Sequence, residues 1–290
     1  ITHIAEEQGY AMNMQASALR RDRSHLIGML VPKYDSRYFG SIVERFEIMA
    51  RSRGLFPIVT CTQRDAKLED QAARAMIAHQ VDCLVATGAT DPDRITEICA
   101  AAGVRSLNLD LPGRLAPSVI SNNRQGAYAL TRYILETSVD RRAPGAPLIY
   151  VGGRPDHNTL ERIRGFRDAH AELGLDVDED LMVTGGYAPD KAERALEKLA
   201  ARRSALPAAM FIASTIPLEG VLRWAKSSGH YGNVPLRIGC FDWDPLVAIS
   251  NDNITMMQQN VPVMLDELFR LIDNEAAEPR VIEVPTILMN

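Results

Sequence analysis

The chain has 290 residues, of which 46% are hydrophobic and 24% charged, and its formal net charge is −5. That length fits two compact lobes better than one small core, and the composition is that of an ordinary globular protein. No apolar run approaches the roughly 20 residues that span a bilayer, and the acidic balance argues against a chain that is mainly a nucleic-acid-binding surface.

Residues 1–10 read as the end of a helix. Ile1 and Ile4 share a face, and Gly9 stands where a helix would stop. No capping residue precedes Ile1 and the chain does not begin with Met, so a preceding segment is expected. Asn13-x-x-Ala16-x-x-Leu19 follows, then the charged run Arg20-Arg21-Asp22-Arg23, then an apolar strand over 26–31.

From there strand and helix alternate. Helices are predicted over 38–53, with Ile42, Phe46 and Met49 inward, over 65–79 and over 91–102. Strands are predicted over 56–62, 83–87, 104–109 and 119–121. A second round places helices over 123–139, 159–173, 190–202, 218–228 and 261–274. Its strands run over 148–151, 181–184, 208–212, 237–241 and 255–258, and 280–289 forms a last extended segment. The 143–147 stretch reads as a loop inside the second round. Such alternation predicts an α/β fold of two doubly wound parallel-sheet lobes. Crossings between them are expected near 121–123, 258–260 and 283–285, and a ligand in the cleft beyond the carboxyl ends of the strands.

Cys61, Cys83, Cys99 and Cys240 lie in apolar segments with no CxxC pair, which predicts buried, reduced thiols in a cytoplasmic protein. The six histidines are dispersed, so neither a metal site nor a cofactor is expected. Glu6-Glu7 and Asp91-x-Asp93 do not converge on one helix face, and no nucleophile elbow or Walker loop occurs, so no enzyme is expected.

The order of segments resembles the lac-repressor family of transcription regulators. Val31-Pro32-x-x-x-Ser36-x-Tyr38-Phe39 is similar to the family's first strand-to-helix loop, and Val81-Asp82-Cys83-Leu84-Val85 to its "VDGII" strand. Val119-Ile120-Ser121-Asn122-Asn123-x-x-Gly126-Ala127 resembles the crossing "V-x-x-D-N-x-x-G-A", with Asn122 in place of Asp. Arg162-x-x-Gly165-Phe166 matches "R-x-x-G-F", Ile238-Gly239-Cys240-Phe241-Asp242 resembles "V-G-F-D", and Thr255-Met-Met-Gln-Gln259 resembles "T-T-I-x-Q". Within the family, Gly152-Gly153-Arg154-Pro155 and Ser214-Thr215, which replace a common Asn-Asp pair, look like the fructose- and sucrose-repressor branch.

The resemblance implies a periplasmic-binding-protein-like core behind a hinge helix. Residues 1–10 would end a DNA-binding head and 11–24 would form the hinge and linker. Residues 25–121 with 260–284 would form one lobe, and 122–259 with 285–290 the other. It implies a cytoplasmic, nucleoid-associated homodimer that holds operator DNA through the head and hinge and senses a small sugar or sugar phosphate, and the branch resemblance points to a fructose-type ligand. Leu19 would wedge into the minor groove beside Asn13 and Ala16, with Arg20 and Arg21 on phosphates. The alternative is a periplasmic sugar-binding protein of a transport system, which shares the two-lobed fold.

Arg162 is the first ligand candidate, because a guanidinium offers two parallel hydrogen bonds to a hydroxyl pair or a phosphate. The other reading is a surface salt bridge, which better suits Arg164 and Arg167. Asp242 ends a strand, where it can accept two hydroxyls or cap a helix. Asp110 ends another strand and matches a cleft Asp of the family, or is a turn residue before Pro112. Gln259 at a crossing, Tyr38 and Phe39 after the first strand, Ser214, and Trp243 beside Asp242 complete the set. Tyr38 and Phe39 could instead be core, and Trp243 an interlobe contact.

Overall fold

The computed structural model describes residues 23–137, 147–203, 205–229, 236–274 and 276–289. The predicted head and hinge, with Asn13, Ala16, Leu19 and Arg20, lie outside the described residues, as do the last two positions of the 123–139 helix and most of the 143–147 loop.

The first sheet has the strand order β11-β5-β4-β3-β1-β2: β1 is Leu26–Val31, β2 Phe56–Cys61, β3 Cys83–Thr87, β4 Arg105–Leu109, β5 Ser118–Ser121 and β11 Val281–Val284. β1 pairs in parallel with β2 and β3, and β3 with β4. β3 is buried at every position, as a strand covered on both faces must be. The helices α1 (Arg37–Ser52), α2 (Ala66–Ala78) and α3 (Pro92–Ala101) link these strands. α1 buries Phe39, Ile42, Phe46 and Ala50, a stripe at helical spacing. Asp65 caps α2 through the Lys67 and Leu68 amides, and Asp91 caps α3 through Arg94, with Pro92 at the first helical position.

The second sheet has the order β12-β10-β9-β8-β6-β7: β6 is Ile149–Val151, β7 Met182–Val183, β8 Ala209–Ile212, β9 Arg237–Phe241, β10 Ile254–Gln258 and β12 Ile287–Met289. All its pairings are parallel except β10 with β12. Its helices are α4 (Asn123–Thr137), α5 (His157–Glu172), α6 (Pro189–Arg202), α7 (Thr215–Ser228) and α8 (Pro245–Ser250). The helix α9 (Val261–Asp273) leads back to the first sheet's chain segment.

α4 and α5 pack so closely that a Cβ on Gly165 would stand 2.0 Å from the Arg124 carbonyl oxygen. The cores differ in character. The second sheet carries stacked Tyr150 and Phe211 with Phe166 edge-on to both, while the first unit pairs Phe46 with Phe269.

The described chain divides into two compact units. Of the described residues, one unit holds those within 23–35, 39–118 and 265–281, and the other those within 36–38, 119–264 and 282–289. The division falls within β5 and β11, which hydrogen-bond in the first sheet.

Several expectations need correction. The strand expected over 181–184 is a short 3₁₀ turn, Glu179–Leu181, followed by the two-residue β7, because Asp178 caps the turn through the Asp180 amide. The extended segment expected over 280–289 is two strands in different sheets, and its last part runs antiparallel. The short helix α8 was not anticipated. Cys83, Cys99 and Cys240 are buried, but Cys61 is half-buried, with its Sγ 3.6 Å from the Pro32 carbonyl oxygen. Burial pushes the Cys83 thiol up to about 12 and that of Cys99 to about 11, so both stay protonated. Among the described residues no helix is long and apolar enough to cross a membrane, and no group of three metal-ligating side chains occurs.

Candidate functional site

The second unit gathers polar side chains around Arg162. This arginine lies on α5 and is only 3% exposed. Asp156 caps α5 by accepting from the Thr159 amide, which sets the helix so that Asn158 and Arg162, four apart, share a face. Arg162 Nε donates to Asn123 Oδ1 at 2.8 Å, and Nη1 donates to the Ala213 carbonyl oxygen at 2.5 Å. Its guanidinium carbon stands 3.8 Å from the centre of the Phe241 ring, close enough for a desolvated cation–π contact. Asn123 Nδ2 donates both to Asn158 Oδ1 and to the Ser121 carbonyl oxygen, each at 3.0 Å. A buried guanidinium is costly unless its donors are met and its plane is fixed. Asn123, Phe241 and Ala213 fix it, so its rotamer is set in advance.

A second chain of bonds begins at Asp242. This residue follows β9 with φ 72, a left-handed conformation that Asp tolerates better than most side chains. Gln259 donates through Nε2 to Asp242 Oδ1 at 2.5 Å and accepts from Ser121 Oγ at 2.7 Å. Gln259 is 5% exposed and Ser121 is buried. The helix-capping role that was the other reading of Asp242 belongs to Asp244, which accepts from the Leu246 and Val247 amides. Ser214, 4% exposed, caps α7 by accepting from the Ile216 amide, a structural use of the hydroxyl. Trp243 is half-buried and packs against the apolar cluster that includes Cys240 and Met256. Tyr38 places its hydroxyl 3.9 Å from Met264 Sδ.

The loop after β6 is held separately. Gly152 and Gly153 have φ of 98 and 96, and Pro217 and Thr159 crowd the places a Cβ would occupy. Arg154 Nε donates to Asp156 Oδ2 at 2.6 Å. Burial pushes the Asp156 carboxyl up, but bonds from Arg154 and Thr159 outweigh it and hold the group below its ordinary value. A partly exposed arginine engaged in this way is committed within the loop. Arg164 and Arg167 pair with Glu161 and Glu179 at the surface, as surface arginines were expected to.

Asp110 and Phe39 belong to the first unit. Asp110 follows β4, also with φ 72, and is 4% exposed. A Cβ on Gly88 would stand 3.1 Å from its Oδ2, so glycine keeps room for the carboxylate. Phe39 is buried, and the Arg64 guanidinium lies 5.5 Å from the centre of its ring. Its packing is that of a core residue.

Arg162, Asp242, Gln259 and Ser214 were all legible as candidates. Asn158 and the linking roles of Ser121 and Asn123 were not, although the i, i+4 spacing of Asn158 and Arg162 was in plain view. A polar cavity of about 530 Å³ opens beside Ser121 and Asn123, lined also by Arg124, Tyr128, His157 and Glu161. Neither Arg162 nor Asp242 lines it.

Residues 27–274 match the family model described as a periplasmic binding protein domain. The chain belongs to that family. Its relatives include repressors: it is 62% identical over 154 residues to the ribitol operon repressor of Klebsiella aerogenes, which is 53% of this chain and 57% of that protein. The match therefore spans a little more than half the length of that relative. The sucrose operon repressor of Klebsiella pneumoniae is 28% identical over 98% of the chain and 85% of its own length. Among solved structures, the Cra transcriptional dual regulator of Pseudomonas putida in complex with fructose 1-phosphate superposes with a TM-score of 0.78 at 19% identity. That likeness covers 92% of this chain and 98% of the other, and it shows the shared fold. Relatives that are repressors agree with the expectation that the chain is not an enzyme.

Proposed function

We propose that the chain is the effector-sensing part of a transcription repressor that responds to a small polyhydroxylated ligand, a sugar or sugar alcohol. The observation that carries this is the buried, pre-oriented Arg162 on the same unit as the strand-end carboxylate Asp242. A guanidinium offers donors and a carboxylate offers acceptors, so together they suit a chain of vicinal hydroxyls. Support for the regulatory role comes from the relatives, a ribitol operon repressor and a sucrose operon repressor. These favour the repressor over the transport-binding reading of the same fold.

Within this reading Asp110 is a second carboxylate for hydroxyls, Gln259 orients Asp242, and Tyr38 and Trp243 are apolar neighbours of the ligand. Ser214, committed to its cap, contributes backbone geometry. Asn13, Ala16, Leu19 and Arg20 are proposed for DNA, and a cytoplasmic homodimer on a near-palindromic site follows from the same reading. The identity over half the chain to a ribitol operon repressor moves the favoured effector from a fructose-type sugar to a pentitol. The engagement of Arg154 by Asp156 also favours a neutral ligand over a phosphorylated one.

Titration calorimetry of the chain with ribitol, other pentitols, fructose, sucrose and fructose 1-phosphate tests the proposal. A pentitol is expected to bind with a dissociation constant below about 1 mM, a free energy of about −4 kcal/mol or better. No heat from any of these ligands would remove the ligand assignment.

A further inference from the structure

The chain enters the first unit through a joint that the ligand site does not use. Ser24 and His25 lie just before β1, and both are held by the side chain of Asp82, which precedes β3. One Asp82 carboxylate oxygen accepts from the Ser24 amide and from Ser24 Oγ, each at 2.8 Å. The other accepts from the His25 amide at 2.8 Å. Ser24 Oγ in turn accepts from the Leu26 amide at 3.1 Å, and the Asp82 amide donates to the Leu26 carbonyl oxygen at 2.8 Å. The His25 carbonyl oxygen accepts from the Phe56 amide, also at 2.8 Å. Three strand starts are thus tied at one point.

The tie is specific. His25 has φ 61, a left-handed conformation that L residues hold only where the surroundings over-determine it. A strand needs no cap to begin, and neither Ser24 nor His25 contributes apolar burial to the core. What the bonds do fix is the direction of the backbone as it leaves β1 toward the amino terminus. Arg20-Arg21-Asp22-Arg23 immediately precedes Ser24 in the sequence.

We propose that Asp82 is a positioning residue for DNA binding: it holds the backbone at Ser24 and His25, to which the basic residues are joined in sequence, without touching DNA or effector. The inference rests on the regulator reading above. Basic side chains add to affinity in proportion to the phosphates they neutralise together, which requires a defined path for the backbone that carries them. An aspartate suits the joint because both of its oxygens accept and three donors converge on it.

The test uses the natural full-length protein and a DNA fragment from its own promoter region, followed by fluorescence anisotropy over a range of salt concentrations. Asp82→Asn is nearly isosteric but turns an amide toward one of the donors. It is expected to weaken DNA binding about tenfold and to make the slope of log K against log salt shallower by about one phosphate contact. The thermal midpoint should stay within a few degrees of wild type. Ser24→Ala should have a smaller effect in the same direction, and Ser24→Thr, which keeps the hydroxyl, should restore binding. Unchanged affinity and slope in Asp82→Asn would overturn the joint alone. So would weakened binding with an unchanged slope and a lowered midpoint, because that is loss of fold. A wild-type protein that binds no DNA would overturn the regulator reading and the role of Asp82 with it.

Discussion

β4 and β9 occupy the same place in their respective sheets, third from the end that β11 or β12 forms. Each is followed by an aspartate with φ 72, Asp110 in one case and Asp242 in the other. The surroundings differ. Asp110 is nearly inaccessible and sits beside Gly88. Asp242 is half-buried, bonded to Gln259, and followed two residues later by the capping Asp244. The second unit also holds a buried arginine in a web of amides and an aromatic ring. The repeated winding supplies the same strand-end geometry twice, and residues outside the repeat decide what each copy does with it.

Two glycines, one from each unit, differ in what they pack against, and substituting them shows this most strongly. Gly165→Ala drives a Cβ into the Arg124 backbone at 2.0 Å, where nothing flexible can yield. Gly28→Ala in the first unit meets the side-chain ends of Met76 and Leu84 at 2.6 and 2.8 Å, which can rotate. Urea unfolding should show a loss of about 3 kcal/mol for the former and about 1 kcal/mol for the latter. Equal losses would mean that the Arg124 backbone yields to a Cβ at Gly165 as easily as the Met76 and Leu84 side chains yield to one at Gly28.

Arg162→Ala comes next. It leaves Asn123 Oδ1 and the Ala213 carbonyl without the donor they share, for a stability loss of about 2 kcal/mol after the relief of burying a cation. Polyol affinity should fall about 100-fold, or about 2.7 kcal/mol. Calorimetry that finds full affinity in a folded Arg162→Ala variant would make this residue structural only.

Asp110→Asn and Asp242→Asn address the comparison directly, since Asn keeps the left-handed backbone. Each should reduce polyol affinity about tenfold while shifting the thermal midpoint by only a few degrees. An effect in one alone would show that one copy has kept the binding role and the other has become a turn.

The smallest effect is a dependence on pH. Burial lowers the pKa of His170, partly opposed by its bond to the Phe166 carbonyl. Because the folded value lies below the unfolded one, the contribution to stability is complete above about pH 6.5 and declines as pH falls through that value toward the folded one. His25 and His79 in the first unit are exposed. Once the intrinsic slowing of exchange at lower pH is divided out, amide protection should therefore fall more in the second unit's core between pH 7 and 5.5, and His170→Gln should abolish the difference. An equal fall of protection in both units would assign it to other groups.

Much of the fold was legible, because buried parallel strands and amphipathic helices leave strong periodic marks. The bounds of β7 within the strand expected over 181–184 were not, since a two-residue strand has no period, nor was the change of sheet within the extended segment over 280–289, which is set by pairing partners distant in sequence. Site candidates were legible where a charged residue ends a strand, as at Asp110 and Asp242. Ser121, Asn123 and Asn158 are ordinary polar residues whose importance lies in contacts across 35 to 138 positions. Phe39 is buried, which fits the core packing given as its other reading. Asp82 was read only as part of a strand motif, because its partners Ser24 and His25 lie 58 and 57 positions away.

The central claim is that a small polyol governs DNA binding by this protein. The most direct measurement is fluorescence anisotropy of the natural full-length protein with its own promoter fragment, with and without saturating ribitol at fixed salt. The account predicts sequence-specific binding that ribitol changes by about tenfold or more, a coupling of about 1.4 kcal/mol, and no such change in Arg162→Ala. Binding that ignores ribitol and every other polyol of the titration series, or that shows no preference for the promoter fragment over unrelated DNA, would contradict it.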